Sequence, residues 1–272
     1  MYQYTISQWI LFFFWYCFLG WIWECCYVSV NEGIKKKKWQ WINRGFLNGP
    51  MIPIYGFAAI SILLGTMNVR ENYVFVFVMG ALAATAMELV TGSTMEKLFY
   101  VKYWDYSNLP LNYKGHICFF VSLFWGCLSV ILVEVIHVPI EQFVVMKCPT
   151  WIIDVASFLL VGVFMYDFHD SLHAALDMKE LLEKFADGRV IIERLENRMD
   201  AVIAFTALPD FAELRELRKN AKEDMLYLFE KSRSRRVILH LKHNPTAFSR
   251  KYKGALESLR EQLEMKREEI KK

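Results

Sequence analysis

The sequence predicts an all-α polytopic membrane protein with about five transmembrane helices and a cytoplasmic helical or coiled-coil tail. Three observations carry this. Five stretches are apolar enough to cross a hydrocarbon layer of about 30 Å, which takes roughly 20 helical residues. Charge is segregated: 22 of the 32 Lys and Arg and 18 of the 29 Asp and Glu fall between Ser171 and Lys272. The basic residues left over alternate from loop to loop, as an odd number of spans requires. With 55% hydrophobic and 16% aromatic residues, the chain is too apolar for an ordinary soluble domain.

The expected spans run in order. Trp9–Val30 carries Glu24 as its one charge, and Pro50–Met67 is uncharged and just long enough. Tyr73–Thr91 contains Glu88, Ile117–Val138 contains Glu134 near its end, and Trp151–Phe168 contains Asp154 and Asp167 near its two ends. The N-terminus lacks the basic region and cleavage site of a signal peptide, so the first stretch reads as a retained helix. Orientation follows from the loops. The first holds Lys35, Lys36, Lys37, Lys38 and Arg44, the second Arg70, the third Lys97, Lys102 and Lys114, and the fourth Lys147. This pattern sets the N-terminus outside the cell membrane and the C-terminus in the cytoplasm. Residues 1–170 then form a transmembrane domain and 171–272 a cytoplasmic amphipathic tail.

In the tail, Leu181, Phe185, Ile192, Leu195, Met199 and Val202 recur at helical spacing. Thr206–Asp210 interrupts, and a second run follows through Leu214, Leu217, Ala221, Met225 and Leu228. Asn244-Pro245 breaks again before a Glu- and Lys-rich third helix over Ala247–Lys272. Antiparallel packing, or a coiled coil joining two protomers, buries these stripes.

Several functions are excluded by what is missing. Five of the six cysteines lie in apolar segments as small hydrophobes, no C-x-x-C occurs, and neither a disulfide framework nor a metal site is expected. The chain has no Walker A loop, no G-x-S-x-G elbow and no dinucleotide fingerprint, so it carries no ATPase of its own and calls for no cofactor. Arg233-Ser234-Arg235-Arg236 reads as solvated surface or a lipid contact rather than a nucleic-acid site. His169 and His173 share a helix face at metal-ligand spacing, but the segment Asp167–His173 reads first as a hydrated helix end.

The candidate site lies on the cytoplasmic side. An ionisable residue inside lipid is costly and marks a functional position by default. Glu24 sits in the inner third of the first span and Glu88 within about a turn of the inner end of the third. Glu134 and Asp154 fall near the outer face and read as side chains reaching headgroups. Two loops lie on the same side as Glu24 and Glu88. In Asn43-Arg44-Gly45-Phe46-Leu47-Asn48-Gly49-Pro50, Arg44 and Asn48 admit two readings: a tight hairpin whose Arg44 pairs with an acid or phosphate, or ligands for a polar or anionic solute. The loop after the third span adds Glu96, Trp104, Asp105 and His116.

Those residues resemble a known family. Asn43–Pro50 with Pro53-Ile54-Tyr55-Gly56 is similar to the first signature of the bacterial "Putative ABC-transporter type IV" membrane proteins, the CmpB-like permeases. Glu88-Leu89-Val90-Thr91-Gly92, Glu96-Lys97-Leu98 and Trp104-Asp105-Tyr106-Ser107-Asn108-Leu109-Pro110 resemble the second, extended by Gly115-His116-Ile117-Cys118 and Ser122-Leu123-Phe124-Trp125-Gly126. One departure is His116, where the family pattern has Arg, so a titratable group replaces a fixed cation. The resemblance implies a transporter permease that binds a solute or ion through Glu24, Arg44, Asn48, Glu88, Glu96, Trp104, Asp105 and His116. Its expected partners are the lipid bilayer, a separate ATPase subunit and a second copy of the chain. Two alternatives stay open: an intramembrane lipid-modifying enzyme using Glu88 or Glu96, and a membrane-anchored scaffold or sensor acting through the tail.

Overall fold

The computed structural model describes residues 4–37, 39–205, 216–217, 219–220, 235–252, 254–257 and 260–261. Among these the protein is helical apart from one two-stranded hairpin. Its helices are α1 (Ile6–Lys36), α2 (Pro53–Thr66), α3 (Tyr73–Phe99), α4 (Phe119–Lys147), α5 (Thr150–Phe205) and α6 (Arg235–His243). The hairpin pairs β1 (Asn112–Tyr113) with β2 (Ile117–Cys118).

Local chemistry sets the helix starts. Thr5 and Gln8 form a capping box at α1, with Gln8 N donating to Thr5 Oγ1 and Thr5 N to Gln8 Oε1. Asn72 caps α3 by accepting from the amides of Val74 and Phe75. Pro53 opens α2, where its missing N–H costs nothing.

α1, α3, α4 and the first 35 residues of α5 are long and apolar enough to cross a membrane. α2 is not: its 14 residues rise only about 21 Å. The expected span Pro50–Met67 is therefore helical only from Pro53. The reason lies in the preceding backbone, which is extended over 39–44, bends over 45–50 and walks down α1 one turn at a time. Ile42 N donates to Ser29 Oγ, Arg44 N to Cys25 Sγ, and Ile52 N to the Cys17 carbonyl, while Trp21 Nε1 donates to Asn43 Oδ1. Twelve residues of α1 separate Ser29 from Cys17, so this segment descends about 18 Å to the middle of the α1 apolar stretch. Non-helical backbone at that depth must be buried in protein, and Leu47, Met51 and Ile52 are buried.

α4 starts two residues later than the expected Ile117, which belongs to the hairpin, and continues to Lys147 through two π-helical turns, Leu132–Ile136 and Gln142–Lys147. The helical turn between them contains Pro139 and buries His137 and Glu141. Here the helices share a polar network: Tyr16 Oη lies 2.7 Å from His137 Nδ1, Tyr4 donates to Glu141, and Arg70 pairs with Glu141 at 3.3 Å. Arg70 also donates to the Val133 carbonyl. We call this the Arg70 end of the bundle, and the opposite one the loop end.

Between the ends, Phe12, Ile62, Leu63, Val76, Ala84, Val133, Val144 and Ile153 form the bundle core. Outward-facing residues such as Phe158 and Tyr166, each 79% exposed, give the apolar outer surface a bilayer requires. α3 turns Gly80, Ala84, Glu88 and Gly92 inward at four-residue spacing. At Gly80 a methyl group would meet the side chain of Ser129 on α4. Gly80→Ala is expected to cost about 1–3 kcal/mol through overpacking, read as a lower thermal midpoint of the purified protein.

α5 runs unbroken from Thr150 to Phe205, so no change of element marks residue 170. At the loop end it carries Ala175, Met178, Leu181 and Leu182, which pack against Phe99, Val101 and Tyr103 and against Val237, Leu241, Ala247, Ala255 and Leu256. The expected third tail helix does not begin at Ala247. Phe248 instead makes a two-bond antiparallel bridge with Lys102, and residues 255–257 are the first to turn helical again. That backbone is drawn into the bridge because Lys102 leaves α3 extended and offers both its N–H and its C=O. The interruption at Thr206–Asp210 and the positions Leu214, Ala221, Met225 and Leu228 lie outside the described residues.

Candidate functional site

The site is assembled by three elements meeting at the loop end. Glu24 projects from α1, Arg44 from the extended segment and Glu88 from α3. Arg44 Nε lies 3.8 Å from Glu24 Oε2, and Arg44 Nη2 donates to the Tyr103 carbonyl at 2.8 Å. Tyr55 on α2 donates to Glu24 Oε1 at 2.8 Å. That contact requires Gly20 one turn below Glu24, because any side chain there would strike the Tyr55 ring. Tyr106 donates to Glu88 Oε1 at 2.8 Å. The Trp125 indole on α4 stands beside the Glu88 carboxylate without closing a hydrogen bond, its ring 6.2 Å from that of Tyr55. Glu24, Tyr55, Tyr106 and Glu88 are near enough to interact electrostatically.

Three buried polar atoms of this group have no partner: Arg44 Nη1, Glu88 Oε2 and Trp125 Nε1. An unmatched buried donor or acceptor costs about 1–3 kcal/mol, and more when charged. Tyr55, Tyr106 and Trp125 each lie inside the sequence motifs, where no separate role is expected of them. Their polar tips become informative only once a carboxylate is found beside them.

The remaining candidates form a second cluster one to two turns further along α3. His116 Nε2 lies 3.0 Å from Glu96 Oε2, and the buried Lys102 Nζ lies 4.0 Å from Glu96 and 3.6 Å from Asp105. Lys102 also donates to the Lys114 carbonyl, and Trp104 Nε1 to the His116 carbonyl. Burial and the neighbouring Lys102 push His116 below the usual histidine range, with Glu96 opposing them. Burial would raise the Asp105 carboxyl, but the Ser107 hydroxyl and amide, with Lys102 and Arg250, bring it below the ordinary value. Arg250, from the C-terminal segment, donates to Ser107 Oγ and to the Lys114 carbonyl and lies 3.4 Å from Asp105. Each charge here has a partner, so this cluster fastens the third loop to the C-terminal segment.

Asn48 belongs to neither group. Its side chain donates to Asp170 Oδ2 and Ser171 Oγ, and its amide and that of Gly49 donate to Asp167. The expected hydrated helix end is corrected here for Asp167, which is buried at 9% exposure because it accepts these amides. His169 and His173 are exposed, their Nε2 atoms 3.1 Å apart. Among the described residues no group of three or more His, Cys, Asp or Glu could hold a metal.

The C-terminal segment also touches the edge of the site. Tyr103 Oη lies 2.8 Å from His240 Nε2, and Asn244 donates to the Gly45 carbonyl. Burial, with His243 nearby, drives the His240 imidazole down to about 4. A histidine kept neutral on folding binds a proton first in the unfolded chain. Between the ordinary histidine pKa of about 6.5 and about 4, stability should therefore fall as pH falls, at up to about 1.4 kcal/mol per pH unit from this residue. His240→Gln is expected to flatten that slope in denaturant titrations at pH 7 and pH 5.

The family model described as "Putative ABC-transporter type IV" matches residues 11–172. The chain belongs to this family. The match contains Glu24, Arg44, Asn48, Glu88, Glu96, Trp104, Asp105 and His116, and therefore both loop signatures. No match was found among curated proteins or among solved structures. Membership of this family, with several apolar helices, fits a membrane transporter component. The segment 235–257 that closes the loop end lies outside the matched residues.

Proposed function

We propose that this protein is the permease component of a transporter and binds a solute between Glu24, Arg44 and Glu88. The observation that carries the reading is the set of buried, unpartnered atoms Arg44 Nη1, Glu88 Oε2 and Trp125 Nε1. A protein with no use for them would have matched or removed them, whereas a bound solute offsets their cost. The extended half-crossing before α2 supports the same reading. Interrupted spans bring backbone and polar side chains to membrane depth, where transporters hold their substrates. In this reading the loop end faces the cytoplasm and the N-terminus lies outside, as the clustered Lys35–Lys38 require. α2 together with the extended segment makes the fifth crossing. The third loop, stiffened by Lys102, Glu96, Asp105 and Arg250, is the docking element for a separate ATPase.

The test combines recovery and mutation. Isolation in mild detergent is expected to retain an ATPase whose turnover responds to the wild-type chain. Glu24→Gln, Arg44→Gln and Glu88→Gln should abolish that response while leaving the yield of folded protein unchanged. Recovery of the chain alone, together with three variants that behave as wild type in cells, would sink the proposal. A second reading, a sensor acting through its tail, draws on the bridge between Phe248 and Lys102. It predicts that severing the bridge alters the phenotype while the three site variants do not.

A further inference from the structure

Resting on that transporter reading, we infer that the ligand presents a primary ammonium group to Glu88, within the aromatic surround of Trp125, Tyr55 and Tyr106. The charges at the site argue for it first. Arg44 is already engaged by Glu24 and by the Tyr103 carbonyl. Glu88 has no basic residue within ion-pair distance among the described residues, and the nearby charge it feels is that of Glu24, of the same sign. At this site acidic groups thus outnumber basic ones, two carboxyls to one guanidinium. A phosphate or sulfate placed there would face both acids, against two open donors, Arg44 Nη1 and Trp125 Nε1.

The directions of the open valences argue for it next. Glu88 is 6% exposed, its Oε1 is filled by the Tyr106 hydroxyl, and its Oε2 is open. The Trp125 N–H stands beside the carboxylate without closing a bond to it, so a donor that reaches Oε2 completes it. The walls around it are aromatic: the Trp125 indole beside the carboxylate, the Tyr55 ring against Trp125 at 71°, and the Tyr106 ring that ends on Glu88. A buried carboxylate oxygen walled by aromatic residues suits an ammonium, which donates one hydrogen to the oxygen and takes the rings as neighbours. A desolvated alkali ion instead needs several oxygen ligands, whereas an ammonium is answered by the one open carboxylate oxygen. Arg44 Nη1, on the guanidinium that Glu24 engages, is also unpartnered, so an amine that also carries a carboxylate or hydroxyl suits the site better than a bare amine.

The experiment uses the full chain in mild detergent and follows thermal unfolding by tryptophan fluorescence. The probes are methylammonium, ethanolamine, glycine, potassium, acetate and inorganic phosphate at matched ionic strength. Methylammonium, ethanolamine and glycine are expected to raise the midpoint by linkage. Glu88→Gln should raise the half-saturating concentration about tenfold or more. Trp125→Phe, which keeps a ring and removes the N–H, should weaken the response less. The unliganded midpoints of both variants report whether they fold. Failure of every amine to shift the wild-type midpoint, or an equal shift by potassium, overturns the ammonium assignment. Stabilisation by phosphate or acetate that Arg44→Gln removes and Glu88→Gln spares also overturns it, while keeping the solute site. Responses unchanged in Glu24→Gln, Arg44→Gln and Glu88→Gln alike overturn the site itself.

Discussion

Asp167→Ala is expected to destabilise this protein by about 3–5 kcal/mol, the largest effect of any single polar substitution at the loop end. Asp167 Oδ1 accepts from the Asn48 amide at 3.0 Å and Oδ2 from the Gly49 amide at 2.8 Å, and Ser171 Oγ donates to the same carboxylate at 3.2 Å. These are charge-assisted bonds to backbone that has no helix to satisfy it. Alanine leaves two main-chain donors without their acceptor, each costing about 1–3 kcal/mol, with the hydroxyl in addition. Asp167→Asn keeps one acceptor oxygen and should lose roughly half as much. Asp154 supplies the contrast. It lies on the same helix but is exposed, so Asp154→Asn should stay within about 0.5 kcal/mol of wild type. Yield of monodisperse protein and the thermal midpoint in detergent measure all three. Equal midpoints for Asp167→Ala and Asp154→Asn would show that the extended segment is held by something other than this carboxylate.

Asp167 also marks where the sequence stopped being legible. Hydropathy places α1, α3, α4 and the start of α5, because a helix that must face lipid on most sides is written as an unbroken apolar run. It cannot place the segment between α1 and α2. Asn43, Gly45, Asn48, Gly49 and Pro50 are the usual composition of a surface turn. What fastens Asn48 and Gly49 to the bundle is a set of partners over a hundred residues away, Asp167, Asp170 and Ser171. The same blindness affects single residues. Lys102 counts in a loop as a topological charge, yet it turns inward to Glu96 and Asp105 and is 2% exposed. Arg70 counts as the lone cation of its loop, yet it serves Glu141 and the Val133 carbonyl.

The candidate site divides along a similar line. Glu24 and Glu88 are conspicuous because an acid in an apolar stretch is costly, and Arg44 because a loop signature surrounds it. Tyr55, Tyr106 and Trp125 are not, since an aromatic in an apolar run is by default core. Glu96, Trp104, Asp105 and His116 are legible as a cluster but not as a separate one. Glu88, Gly92 and Glu96 follow one another on a single face of α3, and sequence spacing does not reveal that Lys102 and Arg250 close off the far end.

Ending the chain at residue 234 is expected to cost more than any point substitution and to alter the site itself. Val237, Leu241 and Leu256 are 3%, 5% and 2% exposed. Burying side chains of this size is worth about 1.5–3 kcal/mol each, so on the order of 5 kcal/mol is at stake before ordering entropy is subtracted. Their removal uncovers Phe99, Val101, Tyr103, Met178 and Leu182, a contiguous apolar surface at the loop end. It also strips His240 from Tyr103, whose carbonyl holds Arg44, and Asn244 from the Gly45 carbonyl beside it. The shortened protein should unfold at a markedly lower temperature, aggregate in detergent and lose the probe response that depends on Arg44 and Glu88. Leu256→Ala should reproduce part of the loss, about 2–5 kcal/mol, and Lys242→Ala, at an exposed position, almost none of it. A shortened chain with the wild-type midpoint would make segment 235–257 an appendage. A lowered midpoint with the probe response intact would separate its role in folding from any role at the site. Loss of both is what the contacts from His240 through Tyr103 to Arg44 require.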